Sequence, residues 1–143
     1  MGVQAECVFC RIVSGGIPAR VVWSDERCLA FMDIAPLAEG HLLVIPLDHY
    51  ETIDQMPSDL MAHIGSILPR LTAVVSGTTG AEGVNILQNN GTVAGQVVPH
   101  VHFHLIPRRH GDGLGYRWLV GEYPPGRAEV IFDALKREVK GVE

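Results

Sequence analysis

The run His100-Val101-His102-Phe103-His104-Leu105-Ile106 alternates imidazole and apolar side chains, and Pro107 follows it. Alternation is the period of a β-strand, because successive side chains leave opposite faces. A helix would scatter the same residues around its circumference. This stretch therefore demands a sheet, with three imidazoles on one face at steps of about 7 Å. Val101, Phe103 and Leu105 take the other face and can enter a core. The chain has seven histidines, so the clustering is marked. Such a row can bind a metal, bind an anion, or present a nucleophile beside groups that stabilise charge. The bland alternative is the polar face of an edge strand. A purification tag is excluded, because the run is internal and apolar residues interleave. A metal held by these three alone is disfavoured, because alternating strand positions fan along a line and a metal wants convergent ligands.

The strand needs neighbours. Residues 20–24 and 28–32 read as short strands joined by a polar turn at Asp25-Glu26-Arg27. Residues 34–40 contain Pro36 and Gly40 and read as a loop, and 41–45 form a strand closed by Pro46. From Asp59 to Val75, Leu60, Ile64, Ile67, Leu68, Leu71, Val74 and Val75 make one helical stripe. Pro69 should kink that helix, and Gly77 and Gly80 should stop it. Residues 84–88 read as a strand, 89–95 as a loop and 97–106 as a longer strand ended by Pro107. Residues 110–126, rich in Gly, Tyr and Pro, suggest no element. Residues 127–140 predict a terminal helix with Val130, Ile131, Leu135 and Val139 inward. Consecutive strands interrupted by one long helix predict an α+β fold with a mainly antiparallel sheet.

A length of 143 residues fits one domain that needs no disulfides, with an irregular C-terminal tail from about residue 109. The net charge of −5 argues against a general nucleic-acid coat. No apolar run approaches the roughly 18 residues of a membrane span, so no membrane partner is expected. The N-terminus lacks a basic start and a long apolar stretch, so it does not read as a signal peptide. Glu6 breaks the myristoylation pattern. An odd count of three cysteines with no secretory signal favours a reducing, cytoplasmic setting. Cys7-Val8-Phe9-Cys10 has the spacing of half a tetrahedral zinc site. A redox pair and an ordinary buried pair are the alternatives. Cys28 reads as a buried strand residue, and His63 and His110 receive no role.

The segment 100–106 resembles the histidine-triad signature, His-x-His-x-His followed by two apolar residues. Asp25 through Ile34 is similar to the ribose-binding region of the Hint-like branch of that superfamily. Gly40 through Pro46 resembles the strand carrying its upstream histidine, and Asn89-Asn90-Gly91 through Gly95-Gln96 its loop before the triad. The similarity spans roughly residues 6–108. It implies a HIT-like fold: a five-stranded sheet, one long helix and a C-terminal helix.

The resemblance also implies chemistry. It points to hydrolysis or transfer at the α-phosphate of a purine nucleotide conjugate, such as a dinucleoside polyphosphate, an aminoacyl-adenylate or a phosphoramidate. His102 matches the nucleophile that forms a nucleotidyl-histidine. The carbonyl of His100 would hold its other ring nitrogen, and His104 and His41 would stabilise charge. Asn89 and Gln96 match contacts to phosphate or leaving group, and Asp33 matches the ribose acceptor. Val8, Phe9, Ile12 and Ile34 match the base walls, with ordinary core as the alternative for each. Val97 stands where many members carry Ser or Thr that helps protonate the leaving group. Some members complete a zinc site with two further histidines, which gives Cys7, Cys10, His49 and His100 as ligands of a structural zinc. The family usually forms twofold homodimers. A nucleotide-binding regulator or scaffold with little turnover is the competing reading.

Overall fold

A computed structural model of the chain describes residues 2–115 and 119–142. It contains two compact units, Met1–Gly113 and Leu114–Glu143.

In the first unit, Cys7 N-caps a short helix, α1 (Val8–Val13), that the sequence did not suggest. Strands β1 (Val21–Ser24) and β2 (Cys28–Met32) form a hairpin. Its turn is tied by Asp25, whose Oδ1 accepts the backbone N–H groups of Arg27 (2.8 Å) and Cys28 (2.9 Å). Strands β3 (Leu42–Pro46), β4 (Gly83–Gln88) and β5 (Phe103–Arg108) complete an antiparallel five-stranded sheet in the order β1-β2-β3-β5-β4. The α+β fold is thus as expected.

Both faces of the central strands are covered, and the period of two sorts their residues. Cys28, Ala30, Leu42, Val44, Phe103 and Leu105 pack under the long helix α2 (Ser58–Thr79). Leu29, Phe31, Leu43 and Ile45 face Phe9, Cys7 and Cys10 at the N-terminal end. Helix α2 is long and apolar enough, by length and composition alone, to cross a membrane. Its buried residues Leu60, Ile64, Ile67, Leu71 and Val75 form the single stripe of a core helix. Each such burial contributes about 1.5–3 kcal/mol. Together they exceed the roughly 3 kcal/mol cost of a proline inside a helix. The helix accordingly runs through Pro69 and Gly77 and ends only at Gly80, which adopts φ +65°. Gly40 sits close under the same end: a Cβ there would lie 2.5 Å from Thr79 Cγ2.

Three expectations need correction. The last strand begins at Phe103, not at 97. The segment before it leaves the ladder: Val101 N–H donates to Tyr50 O (2.7 Å) and His100 N–H to Val98 O (2.8 Å). Nor does Pro107 end the strand. It pairs with Val84 of β4 beyond the point where β3 stops at Leu105, so its missing N–H leaves no partner unmet on that side. In the second unit, α3 (Arg127–Val139) forms where expected, yet it buries no residue. Val130, Leu135 and Val139 are exposed, because the described residues of that unit provide no layer for them to pack on.

Candidate functional site

The face of the sheet that carries α1 holds a pocket of about 390 Å³. That volume suits a small organic ligand. His102 and His104 line one side, Asp33 another, and the remaining walls are almost entirely apolar. Val8, Phe9, Ile12 and Ile34, matched in sequence to base walls, all line it. Ile17, Pro18, Ala19, Phe31, Leu43 and Val98 line it too and carried no signal beyond being apolar. Val97 stands at the same pocket and is 88% exposed.

Hydrogen bonds decide which ring nitrogens carry protons. His102 Nδ1 lies 2.7 Å from the carbonyl oxygen of His100. A carbonyl only accepts, so Nδ1 carries the hydrogen and Nε2 keeps its lone pair. His41 Nδ1 accepts the Leu37 N–H at 3.1 Å, so the His41 proton sits on Nε2. From there it donates to His104 Nδ1 at 2.9 Å. That leaves the proton of His104 on Nε2. A relay thus runs from the backbone through two imidazoles. Burial holds His41 and His102 below the ordinary histidine range. His104 falls to about 4, through burial and then the neighbouring His102 and His41. All three are neutral at pH 7. The site therefore presents a neutral imidazole with an open Nε2 lone pair beside a neutral, oriented N–H donor.

Asp33 is anchored rather than free. Its Oδ1 accepts Ala35 N–H at 2.9 Å, and its Oδ2 lies 3.7 Å from His41 Nε2. Asn89 is half-buried outside the pocket wall, against Gly95. Gly95 adopts φ +98°, and a Cβ there would approach Asn89 Nδ2 to 3.4 Å, so a side chain is doubly disfavoured. Gln96 is buried, and its amide is engaged within the fold. Oε1 accepts Gly91 N–H (2.7 Å), and Nε2 donates to Glu51 O (2.7 Å) and Val98 O (3.1 Å).

Beside the pocket, Cys7, Cys10, His49 and His100 converge, all buried, with their ligand atoms within 4.8 Å of one another. Cys7 Sγ lies 3.4 Å from His100 Nδ1, Cys10 Sγ 3.4 Å from His49 Nδ1 and 3.6 Å from His100 Nδ1. With zinc–sulfur about 2.3 Å and zinc–nitrogen about 2.0 Å, a tetrahedron has S···N edges of about 3.5 Å. The set fits such an ion. His100 is also in the correct tautomer: its Nε2 lies 3.0 Å from Pro46 O and donates to it, leaving the Nδ1 lone pair toward the thiols. Burial drives its pKa down to about 4 and raises that of Cys10. One residue, His100, therefore serves both clusters, by its ring in one and its carbonyl in the other.

The family model described as HIT domain matches residues 14–111. An uncharacterized HIT-like protein of Methanocaldococcus jannaschii is 45% identical over 94% of this chain and 99% of its own length. Adenosine 5'-monophosphoramidase HNT1 of Candida albicans is 37% identical over 100% of this chain and 97% of its own. Adenylylsulfatase HINT3 of Arabidopsis thaliana is 40% identical over 78% of this chain and 57% of its own. Among solved structures, SMU.412c from Streptococcus mutans superposes with a TM-score of 0.91 at 36% identity, covering 96% of this chain and 88% of that one. A Zn-bound histidine triad family protein from Mycobacterium smegmatis superposes with a TM-score of 0.72 at 35% identity, covering 96% and 98%.

Proposed function

This chain belongs to the HIT-domain family, and we propose that it is a nucleotide hydrolase or transferase acting at the α-phosphate of an AMP-type conjugate. Relatives named as a monophosphoramidase and an adenylylsulfatase support that substrate class. The observation that carries the reading is the His102 tautomer, fixed by the 2.7 Å bond to His100 O in the wall of a pocket of nucleoside size.

In this mechanism His102 Nε2 attacks phosphorus, and the bond to the leaving group breaks. The leaving group departs with the electron pair, and a nucleotidyl-histidine forms. Water then attacks the same phosphorus, releasing the nucleotide and restoring neutral His102. His104 Nε2–H, aligned by His41, donates to a non-bridging oxygen as negative charge develops. Asp33 accepts the ribose hydroxyls, and the apolar walls take a purine base by contact rather than by hydrogen bonds. Val97 supplies no proton, so the reading favours leaving groups that are already acidic, such as a phosphate or sulfate. The Cys7, Cys10, His49 and His100 set would hold a structural zinc. Bound there, it supplies a tie between the N-terminal segment and the carbonyl that orients His102. The free edge of β4, with Ile86 half exposed, is where a second copy would extend the sheet into a homodimer.

The test is His102→Ala against AMP conjugates labelled at the α-phosphate. Turnover should fall by about 10⁴-fold or more, and the label trapped on acid-quenched wild type should vanish. Equal turnover by both proteins refutes the mechanism. Tight nucleotide binding without turnover in the wild type would mark a regulatory binder instead.

A further inference from the structure

Away from the pocket, a second group of ligand-type side chains has no role in the proposed chemistry. Asp25 in the β1–β2 turn, Cys28 at the start of β2 and His63 on α2 bring a carboxylate oxygen, a sulfur and a ring nitrogen within 4.8 Å of one another. His63 Nε2 lies 2.9 Å and Cys28 Sγ 3.5 Å from the same atom, Asp25 Oδ2. Around a tetrahedral zinc-like ion, metal–ligand lengths of about 2.3 Å to sulfur and 2.0 Å to oxygen or nitrogen set an S···O edge of about 3.5 Å. The N···O edge is about 3.3 Å on the same lengths. The sulfur edge already matches, and the nitrogen edge needs a few tenths of an ångström.

Burial arranges the three ligands asymmetrically. Cys28 is completely buried, while the side chains of His63 and Asp25 are 31% and 24% exposed. A soft ligand thus forms the back of the site, and the front opens to water. Without an ion the thiol is inert, since burial and then Asp25 push its pKa up to about 12.

We propose that Asp25, Cys28 and His63 form a second metal site, an open and exchangeable one for thiophilic divalent ions of the zinc and cadmium type. Binding expels the Cys28 thiol proton to solvent. It also moves the His63 proton from Nε2 to Nδ1, so that the freed lone pair meets the ion. Asp25 is already anionic. Thiolate and carboxylate together balance the two positive charges, water fills the fourth position, and no electrons change hands. The Trp23 indole N–H, now donating to Asp25 Oδ2 at 3.0 Å, would share that oxygen with the ion.

The experiment is equilibrium dialysis of the full chain against cadmium under a non-thiol reductant, with metal analysis and thiolate-to-cadmium charge-transfer absorbance. The chain has three cysteines, so ions and thiolates are counted independently. The wild type should saturate with two ions and three thiolates. Cys28→Ala should hold one ion and two thiolates, and His63→Gln should lose the same ion. His63 lies on the helix surface, so that variant keeps the test alive if Cys28→Ala fails to fold. A wild type holding one ion with a single thiolate, lost in both Cys28→Ala and His63→Gln, would still support this site and speak against the four-ligand cluster. Saturation at one ion and two thiolates, or a second ion retained by both variants, overturns it. The readout does not involve hydrolysis, so it stands or falls apart from the catalytic reading.

Discussion

Replacing Gln96 by alanine tests whether this side chain acts on substrate or on its own loop. Its amide makes three hydrogen bonds, two at 2.7 Å and one at 3.1 Å, that tie Gly91, Glu51 and Val98 together. A net hydrogen bond contributes about 0.5–1.5 kcal/mol, and a buried partner left unpaired costs more. Here Gly91 and Glu51 are exposed and Val98 is half-buried, so water can reach the abandoned groups. The net value applies rather than the desolvation penalty, which gives a loss of about 2 kcal/mol for the three bonds. For a chain of this size that lowers Tm by about 4–8 °C. Val98 leads into the His100 turn, so loosening it misplaces His102 and should lower kcat about tenfold. Gln96→Glu should be at least as damaging, since a carboxylate cannot donate to the carbonyls of Glu51 and Val98. The assay is differential scanning calorimetry with steady-state kinetics on an AMP conjugate. An unchanged Tm with kcat down more than a thousandfold would refute the positioning role and make Gln96 a substrate contact.

Three further outcomes follow from the geometry. Protein purified under reducing conditions should retain one tightly held zinc, and Cys10→Ser should release it and lower Tm by more than about 5 °C, because metal binding is folding free energy; metal analysis and a melting curve decide it. Stability should fall as pH drops from about 6.5 to about 4: His104 is held near 4 in the fold, so the unfolded chain binds the proton first in that window. Above it the stability is fully present, and His104→Asn should flatten the slope of urea midpoints against pH. Val97→Ser should raise kcat/KM for an AMP–amine conjugate by about tenfold or more, with an acidic leaving group changed less than about twofold. Equal gains on both substrates would remove the leaving-group argument.

Local pattern was sufficient wherever one physical rule acted alone. The alternation from His100 to Leu105 placed Val101, Phe103 and Leu105 in the core beneath α2. The stripe from Leu60 to Val75 placed that helix, and the two-residue spacing of Cys7 and Cys10 pointed to a metal-type pair. The likeness to a family supplied the rest of the four-ligand set, and His49 and His100 do lie beside the two thiols. What the pattern missed depends on competition between distant partners. Residues 97–102 have the composition of a strand, but Tyr50 O takes the Val101 N–H and the ladder starts at Phe103. Gly77 should stop the long helix, but the buried stripe carries it on to Gly80.

The sequence by itself determined the sheet, its two-faced core and the identity of the imidazoles, because period and side-chain chemistry are local properties. Only the tertiary structure decided which nitrogen of His41, His100, His102 and His104 carries its proton. Those assignments rest on the carbonyls of His100 and Pro46 and the N–H of Leu37. It also decided that Asp25, Cys28 and His63 meet at one oxygen. Hydrogen bonds and ligand sets need atoms within about 3.5 Å, and only the packing of a helix on a sheet brings residue 63 that close to residue 25.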